Sequence, residues 1–176
     1  TEMPLLFEVD ESLVNAMIEA GEMGFKLGNK TVKCVGITRI PPLALSTVSG
    51  IIGITGRVNG SLLVNMSEIA ALRVISGMLM TECEKMTPVI LDGVAEVTNV
   101  IAGRLKSSLA SSGYPLENIT LPTVMIGQNY LVTQTKGMAT CGVTLLVEDP
   151  KVYCLPDRIV QLVFTVMADV LKPSRA

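Results

Sequence analysis

Residues 43–66 read LALSTVSGIIGITGRVNGSLLVNM, and here the pattern of the chain turns from helix to sheet. The stretch is rich in β-branched residues, and Gly50, Gly53 and Gly56 offer turns. Asn59-Gly60, set between two strand-like runs, is a strong hairpin signal. Downstream, Ser67 is placed to cap a helix running to about Met80, with Glu68 in its first turn favouring the helix dipole. A polar connection from Thr81 to Thr87 leads to Pro88, which opens a long helix to about Ser112, closed by Gly113 and Pro115.

Three more strand-like runs follow: NITLPTVMIGQ (118–128), NYLVTQTKG (129–137) and MATCGVTLLVED (138–149). The tail PDRIVQLVFTVMADVLK (156–172) reads as a final helix with Pro156 in its first turn. Upstream, Val9, Leu13, Met17, Ile18 and Phe25 recur at helical spacing over residues 8–28, with Asp10 or Ser12 as cap and Gly28 as stop. The run TVKCVGITRI alternates in places and ends at Pro41-Pro42, which bars a helix. Helices and strands thus fall into blocks rather than alternating. That segregation predicts an α+β domain with a largely antiparallel sheet covered by helices, in one domain over residues 1–176.

Composition narrows the function. Acidic and basic residues nearly cancel, 16 against 14, and no run of like charge exceeds two residues. Nucleic-acid binding needs a concentrated basic stripe, and none is present. Only 3% of residues are aromatic while 49% are hydrophobic, so the core must be built from aliphatic side chains and methionine. The longest apolar run, Ile159 to Leu171, is interrupted by Gln161, Thr165 and Asp169 and is too short for a membrane span. The opening TEMPLLFEVDES has neither the basic lead nor the apolar run of a secretory signal, so a cytoplasmic protein is expected. There is no histidine, which excludes triads using His as base, imidazole zinc sites and histidine phosphotransfer. Cys34, Cys83, Cys141 and Cys154 lie far apart without a C-x-x-C pair, and are read as reduced and buried. No metal site is expected.

The chemistry concentrates in PVILDGVAEVTNVIAGRLKSSLASSG (88–113). At about 100° per residue, Leu91, Val94, Ala95, Thr98, Ile101, Ala102, Leu105 and Leu109 share the arc that must face the core. Asp92, Glu96, Asn99, Gly103 and Lys106 line up on a separate solvent-facing stripe. Val97 and Val100 give that stripe an apolar margin. A solvated face would explain a lone Glu and Asn. However, Asn and Gly are poor helix formers, and Gly103 leaves room for another backbone. An interaction face is the sharper reading, without yet naming the partner.

Asp92-x3-Glu96-x2-Asn99, continued by VIAGRLKSSL, resembles the D/S-x3-E-x2-N signature of the CheC/CheX/FliY chemotaxis phosphatases. The downstream LPTVMIGQN is similar to the family's strand after this helix. With one such site and about this length, the chain is most similar to the CheX branch. A second site is absent: Glu11 and Asn15 are spaced E-x3-N, and Glu68 is followed by Ala71 where Asn is required.

The resemblance implies an α/β sandwich, with a six-stranded, largely antiparallel sheet under long helices, and a homodimer. It implies a helper phosphatase acting on the aspartyl phosphate of a CheY-type response regulator. In that reading Asn99 positions the attacking water and Glu96 pairs with the regulator's lysine. Asp92, Gly103 and Val100 contact the partner. Mg²⁺ is expected in the regulator, with no cofactor bound by this chain. An amide both accepts and donates hydrogen bonds, which suits it to hold a water against a phosphoryl group. Asp92 reads equally as an acid favouring the helix dipole, and Lys106 as merely solvated. The main alternative is a non-catalytic adaptor or scaffold that binds a receiver domain. A flagellar-switch component in the manner of FliY is a further one.

Overall fold

The computed structural model describes residues 10–38, 47–112, 115–128, 130 and 137–167. The first helix, α1 (Glu11–Lys26), starts where the Asp10 carboxylate accepts the Ser12 N–H at 2.8 Å. It ends before Gly28, and the chain leaves through Asn29 at φ +53°. Strand β1 (Thr31–Thr38) follows, then β2 (Val48–Thr55) and β3 (Gly60–Met66), paired as the expected hairpin, although Gly60 already pairs with Ile54 and the connection runs through Gly56 rather than turning at Asn59-Gly60. Ser67 caps α2 (Glu68–Leu79) by accepting the Ala70 N–H at 3.0 Å, and Met80 closes it in the left-handed region. Pro88 opens α3 (Pro88–Leu109).

The remaining strands are β4 (Asn118–Ile119), β5 (Thr123–Ile126), β6 (Met138–Glu148) and β7 (Ile159–Met167). All pairings are antiparallel, and the sheet runs β1-β6-β7-β3-β2-β4, with β5 also on β2. β4 and β5 occupy one edge of β2 in succession, separated by Thr120, Leu121 and Pro122. Counted as one interrupted strand, they make the six positions expected. Proline cannot donate to the ladder, so an edge is where the break is tolerated.

The tail corrects one expectation. Leu155–Arg158 forms a short 3-10 turn around Pro156, and the residues after it are strand β7, not a helix. β7 lies between β6 and β3. Val160, Leu162, Phe164 and Val166 face the helices, while Val163 and Thr165 are buried on the opposite face. A strand buried on both faces loses its apolar–polar alternation, and a short apolar run is then ambiguous between helix and strand. The Ile and Val content was the discriminating signal. The predicted run 129–137 lies mostly outside the described residues, as does Gly113.

The glycines of β2 also differ from expectation. Gly50 and Gly53 lie inside the strand and only Gly56, at φ +126°, serves a turn. A Cβ on Gly50 would sit 2.0 Å from Thr98 Oγ1, so the missing side chain is what lets α3 lie on the sheet. Across the sheet's other face, Ser49 Oγ donates to Asn65 Oδ1 at 2.9 Å and meets Tyr130 OH at 2.6 Å. Asn65 Nδ2 donates onward to Gln161 Oε1 at 3.3 Å. These buried polar groups are paired, as burial demands.

The four cysteines form no disulfide, and only Cys141 is buried; Cys34 and Cys154 are exposed and Cys83 is half-buried. Among the described residues no helix is long and apolar enough to cross a membrane.

One buried charge node ties Arg73 of α2 to the connections that follow α1 and β6. Asp149, 3% exposed, accepts from Lys30 Nζ at 2.6 Å, Arg73 Nε at 2.9 Å and the Lys151 N–H at 3.0 Å. Burial by itself would raise this carboxyl. The Arg73 guanidinium, the Lys30 ammonium and the Lys151 N–H outweigh it and hold the group well below the usual carboxylate range. A depressed folded-state pKa stabilises fully above the unfolded value of about 3.9, and the contribution disappears as pH falls through the folded value. Asp149→Asn should therefore cost on the order of 3 kcal/mol at neutral pH, because Lys30 loses its carboxylate and Arg73 keeps only the exposed Glu82. Urea denaturation should show the gap to the parent narrowing only below about pH 4.

Candidate functional site

α3 is held on several sides. Its Thr98 seats on Gly50, and the Thr98 hydroxyl, buried, donates back to the Val94 carbonyl at 2.7 Å. A Cβ on Gly24 of α1 would come within 2.3 Å of Ile101 Cγ1 and 3.5 Å of the Val97 carbonyl oxygen, so the two helices meet nearly backbone to backbone. Arg104 pairs with Glu19 across the same junction. On the opposite flank, Lys106 Nζ donates to the Glu117 carbonyl at 2.7 Å, tying α3 to the segment that leads into β4.

This packing leaves one stripe in solvent. Asp92, Glu96 and Asn99 are exposed, and Gly103 and Val100 are half-buried. Residues three and four apart on a helix face lie about 5–6 Å apart between Cβ atoms, so Glu96 and Asn99 can address one group together. The expected core arc is right for Val94, Thr98, Ile101, Ala102, Leu105 and Leu109, whereas Leu91 and Ala95 are only half-buried. Val97 is a correction. It is fully buried under α1, not a margin of the stripe, because Gly24 brings α1 over it. Lys106 is a second correction, being half-buried and engaged rather than solvated.

The polar residues of α3 divide sharply. Arg104, Lys106, Ser107 and Thr98 each have a partner within the chain. Asp92, Glu96 and Asn99 have none among the described residues, and neither does Ser108 in the last turn. Three adjacent polar side chains thus stand unengaged on an otherwise clamped helix. Asn99 keeps two donors and an acceptor oxygen free, and Glu96 keeps a whole carboxylate. No three acidic or cysteine side chains converge to hold a metal ion among the described residues. The Arg104–Glu19 pair and the Lys106 anchor had no sequence signal, since each joins positions that only folding brings together.

A Cβ on Gly103 would meet nothing within 4 Å. The fold therefore does not require glycine there, although glycine in a helix interior costs about 1 kcal/mol relative to alanine. Gly103→Ala should raise stability by about 0.5–1 kcal/mol, measurable as a higher Tm. A lower Tm would mean that the chain itself needs the glycine.

Comparison with known proteins gives a consistent picture. Residues 48–146 match the family described as chemotaxis phosphatase CheX. The chain is 34% identical over 127 residues to the CheY-P phosphatase CheX of Thermotoga maritima, covering 69% of this chain and 79% of that protein. In structure it is similar to a chemotaxis protein CheX from Desulfovibrio desulfuricans, with TM-score 0.75 and 18% identity over 88% of this chain and 98% of the other. It is also similar to CheX in the crystal structure of the CheX–CheY–BeF3–Mg2+ complex from Borrelia burgdorferi. There the TM-score is 0.67 and the identity 19%, over 92% of this chain and 99% of the other. At these identities the structural likenesses speak to the fold alone.

Proposed function

The chain belongs to the CheX family of chemotaxis phosphatases, and from that premise we propose that it hydrolyses the aspartyl phosphate of a CheY-type response regulator through Asn99 and Glu96. The observation that carries the reading is the unengaged row Asp92, Glu96 and Asn99 on a helix fixed from several sides. A structural relative solved in complex with CheY supports the partner class.

In the proposed mechanism α3 docks on the receiver so that the Asn99 amide reaches its phosphoaspartate. The amide oxygen accepts a hydrogen bond from a water and the amide NH₂ donates toward the phosphoryl oxygens. This holds the water in line with the bond between phosphorus and the aspartyl oxygen. That bond breaks as the new P–O bond forms, releasing inorganic phosphate and a free aspartate. The Glu96 carboxylate, one turn earlier, pairs with the receiver's lysine and fixes the docking angle. Mg²⁺ resides in the receiver, where it balances charge on the phosphoryl oxygens. Asp92 and Val100 line the contact, and the open space at Gly103 admits the partner's backbone. The chain's own contribution is placement, and placement alone is a large part of such a barrier.

The test is phosphate release from a phosphorylated receiver domain with Mg²⁺. Asn99→Ala should lower the stimulated rate by about 100-fold or more at unchanged Tm, since the side chain is exposed and makes no hydrogen bond among the described residues. Glu96→Ala should both weaken binding and slow turnover. Full activity in either variant would remove that residue from the mechanism. If the parent bound the receiver without accelerating release, the chain would instead be an adaptor.

The homodimer belongs to the same proposal. Among the described residues β1 is an edge strand, with Val35 and Ile37 54% and 50% exposed. Light scattering should give twice the chain mass, and a monomer would discard this part. The compartment in this reading is the cytoplasm.

A further inference from the structure

We propose that the receiver-binding surface extends from α3 onto α1, as an apolar ledge of Met23, Leu27 and Val100 that seats an apolar patch of the phosphorylated receiver. This rests on the receiver-phosphatase reading and adds a second helix to it. The two helices run antiparallel: Glu19 of α1 pairs with Arg104 of α3, while Gly24 lies against Val97 and Ile101. One turn beyond Glu19 on α1 is Met23, and one turn before Arg104 on α3 is Val100. Both steps are four residues along the flank marked by the ion pair, which places Met23 and Val100 on the same flank of the junction. Leu27, which caps the C-terminal end of α1, is one further turn along, level with Glu96 and Val97.

These side chains are apolar yet open to solvent: Met23 is 45% exposed, Leu27 39%, and Val100 half-buried. Isolated exposed apolar residues are ordinary. Here they form a row directly beside the unengaged Glu96 and Asn99, and on the wheel Val100 lies about 40° from Glu96.

Two arguments assign the ledge to the receiver. A protein near enough to bring a phosphoaspartate to Asn99 also covers the flank carrying Val100, so the surfaces are continuous. The stripe of Asp92, Glu96, Asn99 and Gly103 is also too small alone, because a specific interface takes about 800 Å² from each partner. An apolar centre next to a charged, hydrogen-bonding row is the usual composition of such an interface. The Glu19–Arg104 pair closes the ledge at one end and holds the two helices in register, so it costs the partner little ordering. The competing surface is the other flank of α3, where Ile126 of β5 is 51% exposed.

The experiment measures phosphate release against receiver concentration for Met23→Glu, Met23→Leu, Leu27→Ala and Ile126→Glu, with Tyr153→Glu as control. Tyr153 is 92% exposed and outside both helices. Met23→Glu should raise KM roughly tenfold while kcat stays within about twofold, the mark of lost docking rather than lost chemistry. Met23→Leu should keep the parental KM, and Leu27→Ala should raise it by a smaller factor. Circular dichroism checks folding, and the milder Met23→Ala replaces Met23→Glu if the charge unfolds α1. An unchanged KM in the Met23 and Leu27 variants, with Asn99→Ala inactive, would overturn the ledge and leave the phosphatase reading standing. A KM rise confined to Ile126→Glu would overturn it in favour of the β5 flank. A parent that accelerates nothing would remove both.

Discussion

The seat of Thr98 on Gly50 is the contact on which the rest of this structure depends. With only hydrogen at that position of β2, the helix backbone descends onto the sheet instead of standing off by a side-chain layer. The close approach buries Val94, Ile101, Ala102 and Leu105 together and fixes the rotation of α3 about its axis. Gly24 does the same on the α1 side. Once rotation is set by two such contacts, the residues left in solvent are no longer a matter of choice. Asp92, Glu96 and Asn99 are what remains.

The polar groups of α3 then fall into two sets with different physical histories. Arg104 and Lys106 tie the helix to Glu19 and Glu117, while the Ser107 and Thr98 hydroxyls are satisfied by carbonyls of the helix itself. The three unengaged residues leave their hydrogen-bonding capacity to solvent, and therefore to any partner that displaces it. Anchoring neighbours rather than the site residues themselves is how a surface site can be rigid and still unsatisfied. The charge node at Asp149 works on a larger scale. It joins the connection after α1, α2 and the turn after β6 around a carboxylate nearly removed from water, where pairing is compulsory.

Such an arrangement fits a reaction in which the partner carries the reactive centre. A chain without histidine has no side chain whose ordinary pKa lies near neutrality, yet in-line attack by water on a phosphoryl group asks first for placement. In the proposed reading the receiver supplies lysine and Mg²⁺, and this chain adds an amide and a carboxylate at a fixed spacing. The economy of the site follows from that division: a helix face suffices where a cleft would otherwise be needed.

Local chemistry wrote much of this into the sequence. The β2–β3 hairpin, the caps at Asp10 and Ser67, the start of α3 at Pro88 and the solvent stripe all depend on residues a few positions apart, so they are legible without the fold. β7, whose residues read as a helix, is a central strand buried on both faces, where the period of two disappears. Glycines at 50 and 53, read as turns, turned out to be contact points whose partners, Thr98 and Thr120, lie far along the chain. Val97 and Lys106 were misjudged for the same reason, since a helical wheel gives direction but not what stands in that direction. The sequence by itself determined which side chains α3 offers and at what spacing, because helix geometry is local. Only the tertiary structure decided which were consumed by packing and which stayed free, because that depends on Gly24, Gly50, Glu19 and Glu117 arriving from elsewhere in the chain.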